Sequence, residues 1–127
     1  MHHGGELNAH DLANAAWAFA TASHTDALLF SVLAEQVLQH VGEFTAQELA
    51  NTAWAFATVA HADLPLFAAL AERVLQHVGD FTAQDLANTA WAFAKMDQRD
   101  EALFVALARA AEPRLGEFSA QELSNTA

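Results

Sequence analysis

Cysteine is absent from the 127 residues, which removes disulfides, thiolate zinc sites and cysteine nucleophiles together. Positive charge is scarce as well. Five Lys and Arg stand against sixteen Asp and Glu, a formal net charge of −11, so counterion-release binding to a nucleic-acid backbone has little to draw on. Five glycines and two prolines are too few for a linker-rich or disordered chain. Hydrophobic residues make up 54%, but much of that is alanine, and no uninterrupted apolar run reaches the roughly 18 residues of a membrane-spanning helix. No triad-like spacing of Ser, His and Asp, no Gly-rich phosphate loop and no helical His pair with a glutamate between them occurs. The chain is therefore not expected to be an enzyme, to carry a cofactor or metal, or to have a membrane partner.

What the chain does have is repetition. The string FTAQELANTAWAFA from Phe44 to Ala57 returns as FTAQDLANTAWAFA from Phe81 to Ala94, 37 residues later. One period earlier stands LNAHDLANAAWAFA (Leu7 to Ala20), and one period later FSAQELSNTA (Phe118 to Ala127). A second recurrent segment follows the first three: DALLFSVLAEQVLQHVGE, DLPLFAALAERVLQHVGD and DEALFVALARAAEPRLGE, beginning at Asp26, Asp63 and Asp100. The expected organisation is a flexible N-terminus 1–6, repeats 7–43, 44–80 and 81–117, and the start of a fourth repeat at 118–127.

Each half of the repeat reads as a helix. Thr45 with Glu48, and Ser119 with Glu122, have capping-box spacing, with Phe44/Leu49 and Phe118/Leu123 placed as hydrophobic staples. Asn8 and Thr82 keep the cap, but Asp11 and Asp85 offer a shorter side chain for the return bond. At about 100° per residue, Leu49, Ala53, Phe56 and Ala57 share one face, and Gln47, Asn51, Ala55 and Thr58 the other. In the second half Asp63 is the expected N-cap, Pro65 is tolerated in the first turn, and Phe67, Leu70, Ala71, Val74, Leu75 and Val78 follow helical spacing. Gly42, Gly79 and Gly116 stand just past the last apolar residue, where a left-handed cap is cheapest for glycine. Pro113 falls inside the third of these helices and should kink it or end it early.

No strand pattern appears, so the expected fold class is all-α. A two-helix unit of 37 residues cannot bury its apolar face alone, and stacking such units gives an α-solenoid. The last repeat stops inside its first helix without a polar cap, so a piece of a longer array is expected, self-associating through the uncapped end at Ala127.

The strings LANTAWAFA (Leu49 to Ala57, Leu86 to Ala94) and LANAAWAFA (Leu12 to Ala20) resemble repeats of organellar RNA-binding proteins of algae and alveolates. These are the octotricopeptide-repeat-like proteins and those with FAST-kinase-like leucine-rich and RAP-domain-associated regions. The resemblance covers almost the whole chain. It implies paired-helix repeats that bind single-stranded RNA without catalysis, in mitochondrial or chloroplast RNA processing, stability or translation.

Asn14, Asn51, Asn88 and Asn125 hold one phase of the first-half helix, where asparagine is a poor helix former, so some interaction must offset the cost. They either present amides to RNA base edges, a base per repeat, or bond to neighbouring units and set their register. Gln47, Gln84 and Gln121, with His10 at the equivalent position, precede them by one turn and either extend the same polar stripe or are solvated first-turn residues. Trp17, Trp54 and Trp91 are stacking platforms for bases, or they pack against the adjacent repeat, the commoner use of so large a side chain. Lys95 and Arg99 lie between the halves of the third repeat, where phosphate contact should begin, because net charge runs −4, −3 and −2 along the three repeats. So few cations predict weak RNA binding. A second function stays open: a scaffold holding a peptide or helix on its concave surface, as many α-solenoids do. His24 and His61 recur between the halves. His40 and His77 end the second helix, where a protonated ring favours the negative end of the helix dipole.

Overall fold

A computed structural model describes residues 8–23, 26–61, 63–97 and 100–117. Six α-helices follow one another: α1 Ala9–Thr21, α2 Ala27–His40, α3 Ala46–Thr58, α4 Leu64–His77, α5 Ala83–Lys95 and α6 Glu101–Ala111, with no strand among the described residues. The fold is all-helical, as the sequence pattern required. The N-terminus 1–6 and the segment 118–127, including Ser119, Glu122 and the Phe118/Leu123 staple, lie outside the described residues.

Side-chain caps start the helices where the sequence placed them. Thr45 Oγ1 accepts from the Glu48 N–H at 3.2 Å while Glu48 Oε1 accepts from the Thr45 N–H at 3.0 Å, closing the capping box. Asp85 does the same for Thr82, reaching the N–H at 3.2 Å despite its shorter side chain. Phe44 and Leu49 are both buried, as a staple requires. Asp26, Asp63 and Asp100 cap α2, α4 and α6. Pro113 acts as expected: α6 runs 11 residues against 14 in α2 and α4, then gives way to a 3₁₀ segment, Glu112–Glu117, that contains Gly116.

The helices assemble in two layers. α1, α3 and α5 pack side by side in that order, and α2, α4 and α6 form a second layer, each against the helix it follows. Contact within the first layer is the more extensive because alanine fills it. Ala13, Ala16, Ala50, Ala53 and Ala57 are at most 2% exposed, and so small a side chain lets helix axes approach closely. Phenylalanine fills the space between layers: Phe30 meets Phe56 edge-on at 5.2 Å, and Phe67 meets Phe93 edge-on at 5.2 Å. Burial of each such ring contributes about 1.5–3 kcal/mol.

α3 is flanked on both sides, which buries more of it than an isolated amphipathic helix would. Ala55, expected on the polar face, is fully buried, and so is Thr52. Buried Thr52 Oγ1 has no hydrogen-bond partner, whereas Thr89 Oγ1, 37 residues later, donates to the Asp85 carbonyl at 2.8 Å. Thr52→Val should therefore stabilise the protein by about 1 kcal/mol and Thr89→Val destabilise it by about as much. Urea unfolding followed by circular dichroism measures both, and shifts of the same sign would sink the distinction.

Gly42 and Gly79 do not make the left-handed caps expected of them. Gly42 and Gly79 sit inside 3₁₀ turns, Val41–Glu43 and Val78–Asp80, without a left-handed φ. Their carbonyls accept instead from the following helix pair, Gly42 from Arg73 Nη2 at 3.0 Å and Gly79 from Arg114 Nη2 at 3.2 Å. Among the described non-glycine residues, the left-handed ones are Ser23, Ala60 and Asp97 (φ 59°, 57° and 56°), just after α1, α3 and α5. At Ala60 the turn closes as a Schellman motif: the Ala60 N–H bonds the Ala57 carbonyl at 3.0 Å and the His61 N–H the Phe56 carbonyl at 2.9 Å.

Candidate functional site

One stripe of the first layer stays open. His10, Asn14, Trp17 and Thr21 on α1, Gln47, Asn51, Trp54 and Thr58 on α3, and Gln84, Asn88, Trp91 and Lys95 on α5 follow i, i+4, i+7, i+11 spacing, which keeps each set on one helix face. Side-by-side packing turns these stripes into rows that cross the helices. His10, Gln47, Gln84, Asn14 and Lys95 are exposed, and Asn51 and Asn88 half-buried.

The tryptophans form the most regular row. Trp17 and Trp54, and again Trp54 and Trp91, have ring centroids 6.5 Å apart with planes 33° from parallel. Trp54 and Trp91 pack against the core, and Trp17 is 48% exposed. The indoles thus pack against one another across neighbouring helices while part of each faces solvent. Lys95 Nζ lies 5.1 Å from the centroid of the Trp91 ring, a cation–π contact within α5.

The asparagine row begins differently from how it continues. Asn14 Nδ2 lies 3.0 Å from His10 Nε2, and His10 Nδ1 lies 3.3 Å from Glu48 Oε2. An amide NH₂ can only donate, so Nε2 is the acceptor and the ring proton sits on Nδ1, toward the Glu48 carboxylate of α3. The Asn51 and Asn88 side chains make no hydrogen bond among the described residues, so no asparagine ladder joins α3 to α5.

Charge is uneven along the stripe. Beyond the glutamine row, Gln47 and Gln84 border a depression that His77, Asp80 and Asp85 also line. At the other end stands Lys95. His40 and His77 face acids three residues on, Glu43 at 3.9 Å and Asp80 at 3.8 Å, and His61 stands against the rings of Phe30 and Phe56.

The structure sets Asn14, Asn51, Asn88, Gln47, Gln84 and Lys95 on one face of the first layer, with the glutamines at one end and Lys95 at the other. Asn125, Gln121, Arg99 and His24 lie outside the described residues. Sequence reasoning missed the partnership of Glu48 with His10 and the continuity of the indole row. The signal for the second was the Asn-x-x-Trp spacing, which sets each indole one turn along the asparagine face. Among the described residues no group of three His, Cys, Asp or Glu is placed to hold a metal, and no helix is long and apolar enough to cross a membrane.

The model of one family, described as RNA-editing substrate-binding complex 6 protein, matches residues 1–127. The chain belongs to this family. Membership agrees with the RNA-processing theme of the resemblance drawn from the LANTAWAFA strings, without singling out octotricopeptide or FAST-kinase-like repeats. No curated protein matches the chain.

Proposed function

We propose that the chain is a non-catalytic scaffold of mitochondrial RNA editing, an α-solenoid of 37-residue units that holds an extended polymer along its first-layer face. The units would be 7–43, 44–80 and 81–117, with another beginning at 118–127. The indole row carries this reading: three platforms at one spacing suit a chain lying across the helices better than a compact ligand. Family membership supports the RNA-editing setting, and through it the mitochondrion; it lends nothing to a chloroplast location.

Two polymers fit such a face. Single-stranded RNA is the occupant that the resemblance implies, with Asn14, Asn51, Asn88 and Asn125, Gln47, Gln84 and Gln121, and Lys95 and Arg99 as its contacts. The indole row favours it, since base–aromatic stacking is worth about 1–3 kcal/mol per base and tolerates any sequence. A net charge of −11 favours a protein partner instead. Fluorescence anisotropy of the full chain with a randomised single-stranded RNA pool across a salt series, repeated with Asn14, Asn51 and Asn88 changed to alanine, tests the RNA reading. Binding whose sequence preference vanishes in the triple variant makes the asparagines base contacts. Absence of binding even at low salt sinks the RNA reading.

A further inference from the structure

Resting on the docking role proposed for the first-layer face, we propose that its occupant is an extended polypeptide segment rich in lysine or arginine. Its cationic side chains lie against the indoles at every second residue, and its backbone meets the asparagine amides.

Spacing is the first reason. An extended chain rises about 3.2–3.4 Å per residue and its alternate side chains point the same way, so residues i and i+2 arrive about 6.4–6.8 Å apart. The indole centroids are 6.5 Å apart at both steps. Successive same-side side chains therefore meet successive indoles without either chain bending. This separation is also at the wide end of the roughly 4.5–7 Å found for aromatic pairs, which leaves ring surface for a guest.

The molecule already contains one example of the contact. Lys95 places its ammonium 5.1 Å from the Trp91 centroid. Among the described residues Trp17 and Trp54 carry no such cation, so two platforms of the same row remain for a cation supplied in trans. Beside them, the amides of Asn51 and Asn88 offer a donor and an acceptor each, which is what a peptide backbone presents in return. A guest that bonds them offsets the cost of asparagine inside a helix.

Charge chooses between a cationic peptide and a phosphate backbone. Sixteen acidic residues against five basic ones attract the first and repel the second. Asp80 and Asp85 stand at the glutamine end of the face, and Lys95 is the one Lys or Arg on the stripe among the described residues.

The test titrates the full chain into three labelled probes followed by anisotropy: a peptide alternating lysine and serine, its glutamate–serine counterpart and a uridine oligonucleotide. The lysine peptide is expected to bind, more weakly as salt rises, and the glutamate peptide not to bind. Lys95→Ala should tighten lysine-peptide binding roughly two- to fivefold, the worth of one exposed cation–π contact, because it releases Trp91. Arg109→Ala removes the same charge from exposed helix α6 and should change affinity by less. Trp54→Leu should weaken binding about tenfold or more. Asn51→Ala reads the same face without touching the core, should Trp54→Leu disturb the fold by circular dichroism.

The sign at Lys95 separates the two polymers, since loss of a cation weakens RNA binding. If the oligonucleotide binds, loses affinity in Lys95→Ala and Trp54→Leu, and the lysine peptide does not bind, the inference is overturned while the docking role stands. If no probe responds to Trp54→Leu or Asn51→Ala in folded protein, the docking role itself falls.

Discussion

Phe56→Ala is expected to cost about 3–5 kcal/mol, a large part of the roughly 5–15 kcal/mol that holds an ordinary domain together. Phe56 is fully buried in the middle helix of the first layer, edge-on to Phe30 at 5.2 Å and beside the His61 ring. Its removal leaves a cavity between α3 and α2, walled by a ring that loses its aromatic partner. Phe19, 37 residues earlier and identical in sequence context, is 38% exposed because no helix flanks α1 on that side among the described residues. Phe19→Ala should therefore cost less than half as much, in keeping with the smaller area it withdraws from water. Urea unfolding midpoints of the two variants decide it. Equal losses would mean that the flanking helix does not set the burial of this position.

That contrast also marks how far the sequence could be read. The caps at Asn8, Thr45, Thr82 and Asp63 were legible because capping is local, a side chain bonding a backbone N–H three residues away, and Asp26 and Asp100, at the position of Asp63 in their own repeats, cap in the same way. Helix order, the all-α class and the early end of α6 before Pro113 followed in the same way. The left-handed turns at Ser23, Ala60 and Asp97 were not legible, since none uses glycine, and a left-handed alanine costs about 1–2 kcal/mol that only surrounding packing can offset. Burial of Thr52 and Ala55 was hidden for a related reason. A helical wheel assigns one inside and one outside, whereas α3 has a neighbour on each flank. The candidate face was half legible: recurrence exposed Asn14, Asn51, Asn88, Gln47 and Gln84, but the spacing of the indoles and the use of Lys95 by Trp91 depend on how closely the helices pack.

Ala53→Leu tests that dependence directly. Ala53 is fully buried in α3, in the alanine-lined layer where α1, α3 and α5 make their most extensive contacts. Three added carbons have no room there, and overpacking of a tight core costs about 1–3 kcal/mol or more. The strain has two outlets. Either the helix pairs separate and cooperative unfolding weakens, or α3 shifts and the 6.5 Å steps from Trp54 to Trp17 and Trp91 change with it. Trp54 is one residue away from the substitution, so the second outlet perturbs the environment of the central indole even in protein that remains folded. The expected result is a lowered unfolding midpoint together with a shifted tryptophan emission maximum and, on the proposed docking role, a loss of lysine–serine peptide binding out of proportion to the loss of helix. Ala68→Leu, on the exposed side of α4, adds the same carbons away from this layer and should change stability by no more than about 0.5 kcal/mol. If Ala53→Leu behaves like Ala68→Leu, close helix approach does not set the indole spacing, and the small side chains of the layer need another explanation.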